Sequence, residues 1–73
     1  MPIIEIHLLE GRTVEQKRRL HAAVTQAAVD TVGARPEQVR IMITEHGGEH
    51  FSIAGQTANQ RKAAAAAAEE QQK

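Results

Sequence analysis

At 73 residues the chain has room for one domain, and as a monomer it would bury little apolar surface. Its nine basic and nine acidic residues cancel, which excludes a protein held on nucleic acid by phosphate neutralisation. With no cysteine it has neither disulfides nor a thiolate zinc site, so partner subunits are the expected stabiliser.

A single aromatic residue, Phe51, provides no base-stacking platform. No stretch is long and apolar enough to span a bilayer, so no membrane partner is expected. The segment from Met1 to His7 carries neither a basic leader nor a signal-peptide core, and a cytoplasmic protein is expected.

Residues 2–9, PIIEIHLL, read as a strand. Ile4, Ile6 and Leu8 fall on one face, and Ile3, Glu5, His7 and Leu9 on the other. Apolar residues on both faces imply that both are covered, one by a helix of this chain and one by a second subunit. Glu10-Gly11-Arg12 turns into a helix whose N-cap is Thr13, with Gln16 completing a capping box. Leu20, Val24, Ala27, Ala28 and Val32 recur at helical spacing, and Gly33 and Pro36 end the helix.

Val39 to Thr44, VRIMIT, forms a second strand, so strand, helix and strand suit a right-handed crossover between parallel strands. Gly47-Gly48 reads as a turn and residues 50–55 as a short edge strand or hairpin. The expected fold is α+β: a small β-α-β subunit over residues 2–56, with a short C-terminal hairpin, assembled into an oligomer. Residues 57–73 are alanine-rich and of low complexity, and read as a frayed helix or disordered appendage without a catalytic part.

Met-Pro-Ile at the start, then IHLLEGRT, EQK, VRIMITE and GGEHFSIAG, in that order, resemble the 4-oxalocrotonate tautomerase family. The resemblance runs from Pro2 to about Gly55, some three quarters of the chain. It implies a homohexamer, a trimer of dimers, in which neighbouring subunits complete each active site. Pro2 then matches the general base, Arg12 and Arg40 the two arginines, and Phe51 the apolar wall. Leu9 matches a pocket-lining position that offers its backbone N–H. The activity implied is keto–enol tautomerisation of an unsaturated 2-hydroxy or 2-oxo acid such as 2-hydroxymuconate, with no cofactor.

The chemistry agrees with those residue types. Removal of Met1 turns the Pro2 nitrogen from an amide into a secondary amine. A free α-amino group titrates at about 8 in model peptides, and a proline amine is more basic. An apolar pocket and nearby arginines both disfavour its charged form, tuning it toward proton transfer beside a carbonyl. Arginine grips a carboxylate through two hydrogen bonds and stabilises charge on an enolate oxygen.

Each residue alone has a plainer reading. Pro2 suits a strand start, where its missing N–H costs nothing, Arg12 a solvated turn, and Phe51 a core position. Arg40 is harder to place, because within an apolar strand it needs a partner or an open cavity. Related activities with the same proline, a hydratase-like dehalogenase or a decarboxylase, are alternatives. Leu9 and Ser52 stand where the dehalogenases resembled have an arginine and an acidic residue. A catalytically silent assembly module is the remaining alternative.

His46-Gly-Gly-Glu-His50 matches an inverted zinc-protease motif, but paired glycines oppose the helix that motif needs, and no metal is expected. His7 and His21 read as ordinary strand and helix residues, and Lys17-Arg18-Arg19 as a solvated helix face.

Overall fold

The structure, a computed structural model, describes residues 1–71. β1 (Ile3–Leu9) leads to α1 (Val14–Val32), and after a single 3₁₀ turn at Pro36–Gln38 the chain enters β2 (Arg40–His46). A hairpin of β3 (Ser52–Ile53) and β4 (Gln56–Thr57) precedes α2 (Ala58–Gln71). β1 and β2 pair in parallel, from Ile3 with Arg40 to Leu9 with His46, which is the expected βαβ crossover.

The register sorts side chains onto two faces. Ile4, Ile6, Leu8, Ile41 and Ile43 are half-buried under α1, whereas Ile3, Glu5, His7, Arg40, Met42 and Thr44 are exposed on the other face. Lys17 of α1 donates to Glu45 at 2.7 Å, tying the helix to the covered face. Thr13 caps α1 with both capping-box bonds in place, and Gly33 closes it at φ 70°, a left-handed conformation that costs glycine little.

Three details differ from the sequence reading. β2 starts one residue later than expected and runs two residues further, because Leu8 and Leu9 supply partners for Glu45 and His46. Ala27 and Val32 of the expected apolar stripe are exposed. A 19-residue helix is about 28 Å long and a seven-residue strand about 23 Å, so the last turn of α1 outruns the sheet.

The third difference is in the tail, read as a frayed helix or a disordered appendage over 57–73: Ala58–Gln71 is a helix with a fixed start, and residues 72–73 lie outside the described residues. The Thr57 N–H donates to Gln60 Oε1 at 2.8 Å and the Gln60 N–H donates to Thr57 Oγ1 at 3.1 Å, a second capping box. The Ala58 N–H donates to the Phe51 carbonyl at 2.9 Å and the Asn59 N–H to the Gly48 carbonyl at 3.2 Å. Gly48 has to be small here, since a Cβ would sit 2.0 Å from Asn59 Oδ1.

No described residue is fully buried. Ile3 (56% exposed), Met42 (49%) and Ile53 (50%) leave large apolar side chains open. The radius of gyration is 17.0 Å, against about 11 Å for a compact domain of this length. A lone subunit therefore has half a core.

The hairpin turns at Ala54 (φ 54°) and Gly55 (φ 81°), the two successive positive φ angles of a type I′ turn. Alanine is strained there and glycine is not. Ala54→Gly is expected to stabilise the protein by about 1 kcal/mol, read as a higher midpoint in denaturant; a lower midpoint contradicts this account.

Candidate active site

The five residues singled out from the sequence fall into two groups at opposite ends of β1. Pro2 and Arg40 are adjacent, the Arg40 N–H donating to the Pro2 carbonyl at 3.0 Å. Leu9, Arg12 and Phe51 line one cavity of about 220 Å³ at the other end. Seven residue-to-residue steps of extended chain separate Pro2 from Leu9, roughly 23 Å. Within one subunit the groups do not meet.

Each arginine is steered by its own loop. Arg12 Nη1 donates to the Leu9 carbonyl at 3.2 Å, which folds the side chain back over the end of β1. Arg40 Nη1 donates to the Glu37 carbonyl, placing it beside the strand start. A guanidinium has five N–H donors, so one backbone contact leaves its fork able to grip a carboxylate. Both arginines are exposed, and the open setting answers how an arginine is accommodated in β2.

Ladder phase fixes the backbone groups. The bonds Arg40 N–H to Pro2 carbonyl and Glu10 N–H to His46 carbonyl show that even-numbered residues of β1 face β2. Leu9, like Ile3, Glu5 and His7, therefore turns its N–H toward the free edge, beside the cavity that its side chain lines. Phe51 is 44% exposed and forms part of the cavity wall. Pro2 is half-buried, and Met1 ahead of it is 74% exposed.

Three further residues line this cavity, His7, Leu8 and His46, none of them among the candidates from the sequence. His7 Nδ1 and His46 Nε2 are 2.8 Å apart and hydrogen-bonded, and the rings stack with centroids 5.1 Å apart. His46 lies in β2, diagonal to His7 across the ladder. The signal was strand alternation, which puts both on the exposed face once β2 is carried on to residue 46.

Comparison with known proteins shows the family of the chain. The family described as tautomerase enzyme matches residues 2–61. A probable tautomerase of Ralstonia nicotianae is 49% identical over 55 residues, covering 75% of this chain and 79% of the relative. The 2-hydroxymuconate tautomerase of Bacillus subtilis is 44% identical over 55 residues, covering 75% and 89%.

Solved structures are similar over more of the chain. One, from work on the 4-oxalocrotonate tautomerase isozymes of Methylibium petroleiphilum, has a TM-score of 0.84 at 65% identity, covering 86% of this chain and 98% of that one. A heterohexameric 4-oxalocrotonate tautomerase from Chloroflexus aurantiacus has a TM-score of 0.79 at 32% identity, covering 82% and 97%. The chain belongs to the tautomerase family, and its enzyme class is that of the isomerases.

Burial and site geometry make one demand together. Light scattering is expected to give an oligomer, and dilution to dissociation is expected to remove helical circular dichroism and activity together. A folded, active monomer overturns the account.

Proposed function

We propose that the protein interconverts enol and keto forms of an unsaturated 2-hydroxy or 2-oxo acid such as 2-hydroxymuconate. Pro2 is the base in this reading. With Met1 removed, its nitrogen accepts the proton of the enol hydroxyl and returns it to a carbon of the conjugated chain. Arg40, beside Pro2, stabilises the charge that builds on the oxygen, and Arg12 holds a carboxylate of the substrate. Leu9 and Phe51 enclose the apolar carbon chain. The arginines supply the electrophilic assistance, so the proposed reaction uses no cofactor.

The observation that carries the reading is the division of the site. Pro2 and Arg40 lie at one end of β1, while Leu9, Arg12 and Phe51 lie at the other. A substrate spans both groups only if the Pro2 end of one subunit meets the Arg12 end of another. The free edge of β1 and the exposed Ile3 and Met42 are the surfaces on which such copies would pair. The proposed assembly is a homohexamer, its number of subunits supported by the heterohexameric structural neighbour.

A spectrophotometric assay with 2-hydroxymuconate tests the chemistry, after intact-mass measurement has shown the loss of one methionine. Pro2→Ala is expected to lower kcat by roughly 10²- to 10⁴-fold, the usual worth of a positioned base. Unchanged turnover rules Pro2 out, and a retained Met1 in the active protein does the same.

Mixing tests the shared site. Pro2→Ala and Arg12→Ala proteins, each inactive alone, are expected to regain activity when dissociated and reassembled together. Some interfaces then combine an intact Pro2 with an intact Arg12. No recovery from properly assembled mixtures means that each subunit holds a whole site.

A further inference from the structure

The His7–His46 pair lies in the cavity wall beside Arg12, and the tautomerase chemistry above gives it no task. We propose that the two rings act as one hydrogen-bonding unit, a specificity element that receives an anionic end group of the substrate. The inference rests on the reading of Pro2, Arg12 and Arg40 as the site.

Proton accounting sets what the pair can present. Nδ1 of His7 and Nε2 of His46 share one hydrogen bond at 2.8 Å, leaving Nε2 of His7 and Nδ1 of His46. Two neutral imidazoles carry two protons. One occupies the shared bond, and the other must sit on one of the remaining nitrogens. Either tautomeric arrangement therefore shows one N–H donor, and uptake of one more proton makes both remaining nitrogens donors. The intact pair therefore always carries at least one N–H outside the shared bond, with one bare nitrogen beside it while both rings are neutral.

The surrounding charges favour the same occupant. Among the described residues, Arg12 is the charged one lining the cavity, and no carboxylate lines it. The nearby acids are directed elsewhere or lie outside the wall. Glu45 is on the opposite sheet face with Lys17, and Glu49 accepts from Thr57 at 3.1 Å. Glu5 is on the same face as His7, one step nearer Pro2 along that face, and Glu10 and His50 flank Gly47. Leu8, Leu9 and Phe51 complete the wall and suit a conjugated carbon chain.

A guanidinium and an imidazole N–H on one wall select for a second carboxylate at the end of the substrate remote from Pro2. An apolar end such as a phenyl ring would leave those donors unpaired. His7 and His46 are specificity residues in this scheme and take no part in moving the reacting proton.

Two substrates that differ at that end separate the effects. 2-Hydroxymuconate carries the second carboxylate, and phenylenolpyruvate carries a phenyl group instead. In His46→Leu and His7→Leu, KM for 2-hydroxymuconate is expected to rise roughly ten- to hundredfold, the worth of a hydrogen bond to a charged group. The kcat for 2-hydroxymuconate should stay near that of the parent, and KM for phenylenolpyruvate should fall, because leucine removes a donor that the phenyl ring leaves unpaired. His46→Gln, which keeps an N–H donor, should restore part of the lost affinity.

An unchanged ratio of kcat/KM between the substrates overturns the proposal, and so does an equal loss on both, which marks a merely structural pair. Pro2→Ala lowers both substrates alike and leaves the ratio intact. Failure of the histidine proposal is thus distinguishable from failure of the base assignment.

Discussion

In the parallel pairing of Ile3–Leu9 with Arg40–His46, one register decides where every candidate functional group lies. It puts Ile4, Ile6, Leu8, Ile41 and Ile43 under α1 and leaves His7, Met42 and Thr44 on the open face. It sets Pro2 against Arg40 and brings His46 to the end of the strand where Arg12 and Phe51 stand. A slip of one residue would exchange the faces of one strand and remove each of these placements.

The same pairing leaves the subunit incomplete. Two strands have two free edges, and one helix covers one face. The chain cannot curl to close either gap, because the remaining elements are a four-residue hairpin ladder and a helix without large apolar side chains. The uncovered apolar side chains and the two separated groups of candidate residues lie along or beside the same strands. Contact with another copy would then complete both at once, which is an economical reason for a small enzyme to place its site at an interface.

Much of this was legible in the residues. Strand alternation, the Thr13–Gln16 box, Gly33 and Pro36 gave β1, α1 and β2 nearly to their ends, because each signal is local. What lay beyond them was set by tertiary pairing. Glu45 and His46 have little strand preference of their own and are held by Leu8 and Leu9. Thr57-Ala-Asn-Gln60 repeats the spacing of the first capping box, while the alanine run behind it reads only as a frayed helix or a disordered appendage. Pro2, Arg12, Arg40, Leu9 and Phe51 were named by resemblance. Their separation into two groups came from strand length and register, which no single residue states.

Each rung of the ladder joins residues 37 positions apart, as Ile3 with Arg40. During synthesis at about 5–20 residues per second, β1 therefore waits roughly two to seven seconds for its partner strand. Its isoleucines and leucines stay uncovered for that interval, because the partner strand does not yet exist. α1 can form in the meantime and hold the two ends of the crossover in step. The finished β1–β2 pair then still exposes an edge for a further subunit to cover. Maturation of this enzyme thus has a second-order stage, and the cellular concentration of the chain enters its folding rate as directly as its sequence does.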